Sequence, residues 1–580
     1  MSSVFFLVLR RLRAPLITLI AVYSVSIIGL AVTPGVDENG APWRLTLFEA
    51  FYFMSYTATT IGFGELPRPF SPAQRLWATV CIYLAVVGWA YMIASLLALG
   101  RDKAFRHALV TRRFARRVQR LADPFYLVCG YGETGSLLCG ALDHNRVGFV
   151  IVDIAEDRVE ELQLHDYVFD PPALRADARD PETLLLAGLR HPRCAGVVAL
   201  TSDDTANLAV AMAVRLLNPD IPVLCRALDP AVAANMASFD TDHIINPFER
   251  FAEYLALAMH SPGAYRLLQW LTGTPGTTLG PETVPPRGDW VVCGYGRFGQ
   301  AVVKRLRDER LKVTVFDPRP VLPAGEDFVQ RPGVQSEPLR QAGIERAVGI
   351  VAGADDDVNN LSIVVTAKEI NPGLFTVVRQ NLRANRVLFE AFKADVTVVP
   401  SEVIAHECWA ILSTPLLSRF LAVVEQQDDA WADQVVNRVR KALGVEVPSI
   451  WSVSIDALEA PALGAACTGG DGGLRLDHVL RDPSNREQRL PCLALMVARR
   501  GDEHLLPEAG FLLERGDQLL FAGTPGARDR QSLLLTNVNV RDYVLTGREI
   551  PGGWVWERLA RGKGPPGKPD GAGKPQRSGT

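Results

Sequence analysis

Two long apolar runs, Leu16 to Val32 and Leu76 to Leu99, enclose a short one, and that spacing leaves few folds open. The first run is at the short end of what crosses a bilayer. The second would be about 36 Å long as a helix, enough to cross with tilt or to extend into the cytosol. Between them Leu45 to Tyr56 is an aromatic-rich run of about three helical turns. It is too short to span and suits a re-entrant half-helix. Thr57-Ala58-Thr59-Thr60-Ile61-Gly62-Phe63-Gly64-Glu65 follows, with threonines upstream and glycines at alternate positions. Irregular backbone at membrane depth is tolerated only where protein or a water-filled path surrounds it. A backbone that aims successive carbonyls at one axis can replace the hydration shell of a cation, and glycine permits the dihedrals this requires.

Thr60-Ile61-Gly62-Phe63-Gly64-Glu65 resembles the Thr-Val-Gly-Tyr-Gly-Asp filter of potassium channels, with Ile for Val, Phe for Tyr and Glu for Asp. The resemblance implies K⁺ held by the carbonyls of Thr60, Ile61, Gly62 and Phe63 and by the Thr60 hydroxyl. The first two changes keep the carbonyl ladder. Loss of the tyrosine hydroxyl removes a hydrogen bond behind the filter.

Arg10, Arg11 and Arg13 precede the first run, and no small-x-small cleavage site follows it, so it reads as a signal anchor and not a removed leader. Eight cations from Arg101 to Arg120 follow the second run, whereas the intervening loop mixes both signs. Positive-inside bias therefore places both termini in the cytosol of a multi-pass protein of the cytoplasmic membrane, with the filter loop outside. The basic segment reads either as a surface for anionic membrane lipid or as a solvated linker. Gly88, inside the second run, reads as a gating hinge or as a site of close helix packing. Two spans and a half-helix cannot enclose a pore alone. Four copies can, as in the channels the filter resembles, so a homotetramer is expected.

At 580 residues with a net charge of −3, the chain holds several domains and no basic footprint for nucleic acid. Its nine cysteines show no CxxC spacing and fall mostly in apolar runs, which fits reduced, buried thiols.

From Asp123 onward, short β-rich runs alternate with helical patterns. Phe125 to Cys129 leads into Gly130-Tyr131-Gly132-Glu133-Thr134-Gly135, and Phe149 to Val152 closes on Asp153. Trp290 to Cys293 leads into Gly294-Tyr295-Gly296-Arg297-Phe298-Gly299, and Val313 to Phe316 closes on Asp317. These elements share an offset of 164. Farther on the offset is 153, matching Asp203, Asp204 and Asn207 to Asp356, Asp357 and Asn360, and Arg226 to Arg379. The chain therefore carries an internal duplication, with 11 residues fewer in the second copy near the counterpart of Asp166 to Asp180.

Each glycine fingerprint follows a strand, opens a helix and has an acidic residue 23 positions after its first glycine. That is the context a dinucleotide site needs. The candidate binding residues are Gly130, Gly132, Glu133, Thr134, Gly135, Asp153 and Asp177 in the first copy, and Gly294, Gly296, Arg297, Phe298, Gly299 and Asp317 in the second. Carboxylates at 153 and 317 suit ribose hydroxyls and repel a 2′-phosphate, so NAD or an adenine nucleotide (ADP, ATP or AMP) is favoured over NADP. The alternative for either copy is a fold that keeps the turn without a ligand.

The copies resemble the regulator-of-potassium-conductance (RCK) domain, also found in cytosolic subunits of Trk-type uptake systems. The residues that carry this are Ala176-Asp177-Ala178, Leu186-Ala187-Gly188-Leu189, Ala199 to Asp204 with Asn207, Leu217-Asn218-Pro219 and Cys225-Arg226-Ala227. The second copy lacks a counterpart of the Asp177 element. The resemblance implies a ligand-sensitive ring with one pair of such domains per subunit. Leu505 to Gly523 resembles the small module that follows these domains, His406 and Cys408 read as core residues, and Gly469 to Gly473 reads as a flexible loop.

The expected architecture is an α-helical membrane pore domain (residues 1–100, two spans plus a re-entrant pore helix) and a basic linker (101–122). Two α/β Rossmann-like domains (123–262 and 288–415), a small C-terminal α+β module (430–535) and a disordered tail (560–580) follow. The expected function is a potassium channel gated by nucleotide or by a divalent cation such as Ca²⁺, and no enzyme. A membrane-anchored NAD-dependent oxidoreductase would leave the filter stretch unexplained and lacks an acid/base constellation near either fingerprint. A regulatory subunit of a separate transporter would have no use for a filter.

Overall fold

In the computed structural model, residues 2–36, 41–65, 68–273, 276–278, 283–318, 328–330, 336–424, 427–467 and 473–547 are described. The expected tail at 560–580 and most of the Gly469 to Gly473 loop lie outside them. The chain divides into two compact units, residues 1–124 with 150–159 and 171–194, and residues 125–149 with 160–170 and 195–580.

In the first unit, helices Ser2–Val32 and Pro72–Arg101 contain two stretches long and apolar enough to cross a membrane, Leu12–Val32 and Pro72–Ala98. Helix Leu47–Ala58 stands between them in sequence. It starts at Leu47, two residues later than the apolar run suggested, because Thr46 forms a capping box: the Glu49 carboxylate accepts from the Thr46 amide (2.8 Å), and the Thr46 hydroxyl accepts from the Glu49 amide (3.3 Å). Leu30, Leu45, Ala50, Met54, Phe70, Ala78, Cys81 and Ala85 form the small core that joins the three helices. A separate helix, Lys103–Val118, carries the basic stretch.

The duplication appears as two six-stranded parallel sheets of one topology. In order across the sheet, the first runs Ala173–Arg175, Gly148–Asp153, Phe125–Cys129, Cys194–Ala199, Val223–Arg226, His243–Ile245. The second runs Phe328–Gln330, Val313–Asp317, Trp290–Cys293, Gly349–Ala352, Phe375–Arg379, Val396–Val398. This is the 3-2-1-4-5-6 order of a dinucleotide-binding fold, in which ligands lie beyond the carboxyl ends of the strands. The second copy keeps an edge strand, Phe328–Gln330 beside Val315–Asp317, and the counterpart of the Asp177 element, expected to be absent, would follow it. The residues following that strand, 331–335, lie outside the described ones.

Within the second unit, each sheet is followed by a helix that packs on the other copy's fingerprint helix. Pro247–His260 lies on Arg297–Asp308, and Pro400–Ser413 lies on Glu133–His144. Phe248 and Phe251 reach Phe298 at ring distances of 5.7 and 5.6 Å. Ion pairs flank the exchange: Arg250 to Glu407 at 2.7 Å, and Arg305 to Glu253. Cys408 is buried as expected, but His406 lies exposed on the same helix. Two positions apart on a helix is about 200° around the axis, so one side faces in when the other faces out. The C-terminal module is an antiparallel four-stranded sheet of order Ser449–Ser454, Gln518–Gly523, Cys492–Arg499, Asp502–Leu505, closed by helices Pro525–Thr536 and Val538–Thr546. All nine cysteines are free, and all but Cys467 are buried.

Candidate functional site

The filter stretch leaves the pore helix in an alternating conformation. φ is positive at Thr60 (62°), Gly62 (65°) and Gly64 (72°) and not at Ile61 or Phe63. Alternation between left- and right-handed backbone turns successive carbonyls to the same side, which a uniform helix or strand cannot do. A Cβ at Gly62 or Gly64 would meet nothing within 4 Å. The backbone angle, and not space in the protomer, demands glycine at these two positions. Thr60 adopts the left-handed region without that freedom, a strain on the order of 1–3 kcal/mol. The start of the stretch is tied down by its own pore helix: Thr60 N–H donates to Thr57 O (3.1 Å), and the Ile61 and Gly62 amides donate to Tyr56 O (3.0 and 3.2 Å).

Two residues missed by sequence reasoning hold the other end. The Tyr56 hydroxyl donates to the Glu65 carbonyl (2.9 Å), and the Tyr52 hydroxyl donates to Glu65 Oε2 (3.0 Å). The Tyr56 ring also meets Phe63 edge to face at 6.2 Å. The hydroxyl lost at Phe63 is thus replaced by two from the pore helix. The sequence shows two tyrosines four apart, one helical turn, just ahead of the filter stretch, but spacing alone does not name their partners.

Gly88 lies within helix Pro72–Arg101, where a methyl would sit 3.5 Å from Leu19 Cδ1 and 3.9 Å from Val22 Cγ2. Those are ordinary contacts, so close packing does not require glycine there.

In the second copy, Gly294 turns the strand into the helix at φ 96°, and a Cβ at Gly299 would lie 1.9 Å from Gly294 O. Gly296 caps helix Arg297–Asp308, with Arg297 exposed at its first position and Phe298 buried. Asp317 ends its strand as expected but is 1% exposed, and its Oδ2 accepts from the Tyr295 amide at 2.6 Å. It braces the glycine turn. Asn360 closes the far side: its Oδ1 accepts from the Ala354 amide, and its Nδ2 donates to Ala354 O and Arg379 O, all at 2.8 Å.

In the first copy, Gly130 (φ 100°) and Gly135 repeat the turn, with a Cβ at Gly135 lying 2.1 Å from Gly130 O. Gly132 caps helix Glu133–His144, and Thr134 is buried beside the turn. Asn207 makes the same clamp to Thr201 and Arg226. Burial pushes the Tyr131 hydroxyl up to about 12, so it stays neutral against Tyr167 at 2.8 Å. Glu133 is exposed and accepts from the Arg383 amide (3.2 Å) and the Ser401 hydroxyl (3.4 Å) of the second copy. Asp153 accepts from the Ala155 amide at 2.8 Å. Asp177 is gripped by Arg179, with contacts from 2.7 to 3.1 Å, which holds its carboxyl below the ordinary value.

The glycine turns fit a nucleotide: both leave the backbone at a helix start uncovered by any Cβ, where N–H groups and the helix dipole favour phosphate.

Family models match in three places. An "Ion channel" model covers residues 16–102, and the "TrkA-N domain" model covers 126–247 and 290–400. The chain thus joins an ion-channel domain to two TrkA-N domains. It is homologous to potassium channel protein 1 of Methanocaldococcus jannaschii, 25% identical over 202 residues, which are 35% of this chain and 59% of the relative. With the probable potassium channel protein 2 of the same organism it is 24% identical over 234 residues, 40% of this chain and 63% of the relative. The chain therefore spans less than two thirds of either relative's length. Among solved structures, the GsuK channel bound to NAD aligns with 94% of this chain and 100% of its own, at 16% identity and a TM-score of 0.45.

Proposed function

We propose that this chain forms a potassium channel whose opening is set by nucleotide bound to the tandem TrkA-N domains. The observation that carries the reading is the alternation of φ at Thr60, Gly62 and Gly64 directly after a half-helix too short to cross. It lets Thr60, Ile61, Gly62 and Phe63 offer their carbonyls to one dehydrated K⁺ path. One protomer supplies a single wall, so the working unit is a homotetramer in the cytoplasmic membrane, with filter loop outside and both termini in the cytosol. Ile17, Ile20, Val87 and Leu97 are among the exposed apolar side chains on the two spans that lipid or neighbouring copies would cover.

Nucleotide enters as regulator. NAD or an adenine nucleotide shifts the open fraction only by its differential affinity for two arrangements of the paired domains. The exchanged helices Pro247–His260 and Pro400–Ser413 are the elements through which one copy feels the other. Helix Lys103–Val118 then carries the change towards Gly88 in the second span. Among the described residues no group of three His, Cys, Asp or Glu stands together for a metal ion. Ca²⁺ is kept as a separate arm of the test.

The test is K⁺ flux into liposomes bearing the purified protein, with and without NAD, ADP and Ca²⁺. Wild type should pass K⁺ selectively over Na⁺ and respond to nucleotide, and Gly62→Asp should abolish flux while leaving nucleotide binding intact. Tight nucleotide binding without flux under any ligand would sink the channel reading and favour an anchored enzyme or a regulator.

A further inference from the structure

Helix Lys103–Val118 carries more charge than a linker needs. Seven cations, Lys103, Arg106, Arg112, Arg113, Arg116, Arg117 and Arg120, lie between Asp102 and Asp123, and no acid stands among them. All seven are exposed. Arg112 with Arg116, Arg113 with Arg117 and Arg116 with Arg120 are like charges four apart, which repel on a helix surface. The helix dipole favours Arg116 and Arg117 in the last turn but gives nothing to Lys103, Arg106, Arg112 or Arg113. Among the described residues Lys103, Arg106, Arg112, Arg113, Arg116 and Arg120 have no ion pair. Acids of the same unit are engaged with other arginines, Glu156 with Arg175 and Asp177 with Arg179 at 2.7 Å. The repulsion is left for an outside anion to relieve.

The helix is also one-sided. Phe114 and Val118, one turn apart, are buried, and the helix packs on both spanning helices and on strand Ala173–Arg175. Arg106, Arg113 and Arg120 recur every seven residues and share another side, with Arg117 beside them. Val110 is exposed at the edge of that stripe. An apolar side chain among cations suits a headgroup layer, where both find partners, better than water.

Position decides the partner. Lys103 comes five residues after Ala98, the end of the apolar stretch, which is about 8 Å of helix. Asp102 stands outside both helices and restarts the chain as the second: its Oδ1 accepts from the Phe105 amide at 3.2 Å, and its carbonyl accepts from the Arg106 amide at 3.0 Å. The basic face thus begins at headgroup depth, within the roughly 10 Å over which a charged surface is felt at moderate salt.

We propose that the exposed basic face of helix Lys103–Val118 binds anionic phospholipid headgroups of the leaflet in which the second span ends. Arginine pairs with phosphate bidentately, and only an anionic surface draws such a cluster electrostatically. The site needs the two apolar helices to cross a membrane and depends on neither the filter nor the nucleotide reading. The same helix joins the second span to the first TrkA-N domain. In a channel, lipid held there anchors that joint, so membrane composition becomes a second input to the pore.

The experiment equilibrates the full-length protein with mixed micelles of phosphatidylcholine and phosphatidylglycerol in equal amounts, repurifies it, and counts each retained lipid by mass spectrometry. Wild type should retain phosphatidylglycerol in excess. Each surface cation is worth about a fivefold preference, so Arg106→Gln, Arg113→Gln and Arg120→Gln together should cut the excess about tenfold or more. The same three positions as Lys should keep most of it, and rising salt should erode it. These side chains have no ion pair to lose and Gln is a good helix former, so melting temperatures should match wild type. Should the Gln variant melt early, the salt series on wild type and the Lys variant decides in its place. An excess that survives the Gln substitutions, or that salt leaves unchanged, overturns the lipid site. Loss of the excess on adding glycerol 3-phosphate at constant ionic strength also overturns it, and gives the arginines to a free anion. K⁺ flux into liposomes with and without phosphatidylglycerol is read alongside. Absence of flux in both, with the arginine-dependent excess intact, supports the lipid site and removes the channel reading.

Discussion

Set side by side, the two TrkA-N folds agree in frame and disagree at the mouth. Asn207 and Asn360 are both fully buried and make the same three-way clamp between the fourth strand's exit and the backbone of Arg226 or Arg379. Asp242 and Asp395 both accept an amide at the start of the fifth strand, from Val223 and Thr376, at 2.8 Å. Asp203 and Asp356 both cap the helix that follows the fourth strand. What changes is Glu133 to Arg297, and with it the sign of charge at the helix start. Residues that close backbone hydrogen bonds are kept because an unmet buried group costs about 1–3 kcal/mol wherever it occurs. The exposed residue that opens each helix closes no such buried bond and is free to differ.

The hardest test of that shared frame is steric. Gly135→Ala and Gly299→Ala each drive a Cβ to about 2 Å from the carbonyl of the first fingerprint glycine, 2.1 Å in one copy and 1.9 Å in the other. Backbone cannot yield as a side-chain end does, so each should cost about 3 kcal/mol and abolish nucleotide binding to its own copy. Thermal melts and binding stoichiometry check this. A large loss from one substitution and none from the other would show that the two turns are not equivalent.

Much of this was legible in the sequence because it recurs. A paired offset reveals Gly130 with Gly294, and Asn207 with Asn360, without knowledge of any contact. The alternating backbone from Thr60 to Gly64 was legible because alternate glycines between a half-helix and a span have few other uses. Tyr52 and Tyr56 were not, since a hydroxyl's partner is set by how the chain returns after Gly64. Nor were the exchanged helices. Their packing on the opposite copy depends on the three-dimensional pairing of Phe248 and Phe251 with Phe298, residues far apart in the chain. Asp317 was placed correctly at its strand end, but whether its carboxylate faces ligand or the Tyr295 amide is decided by a rotamer that no spacing encodes.

A middle-sized difference is expected at the aspartates that follow the caps. Burial alone would raise the Asp357 carboxyl, yet hydrogen bonds from Asn385, Asn381 and Leu382 outweigh it and hold the carboxyl below its ordinary value. A carboxyl depressed on folding stabilises above its unfolded pKa, near 4, and that contribution is lost as pH falls through the lower folded value. Asp357→Asn should therefore cost about 2 kcal/mol at neutral pH and flatten the acid limb of the stability curve. Asp204, with two amide donors on one oxygen, should cost about 1 kcal/mol as Asn. Urea melts from pH 7 to pH 3 measure both, and equal costs would erase this contrast.

The smallest effect on stability, and the most telling on ligand, comes from making the first mouth like the second. Glu133→Arg removes the acceptor for the Arg383 amide and the Ser401 hydroxyl, both long contacts, so stability should fall by about 1 kcal/mol or less. It also gives the first helix start the cation that Arg297 gives the second. If that charge decides which fold takes phosphate, more pyrophosphate should bind per chain, and the added binding should weaken with salt. If binding is unchanged while the variant melts normally, the difference between the mouths does not lie in the residue that opens the helix.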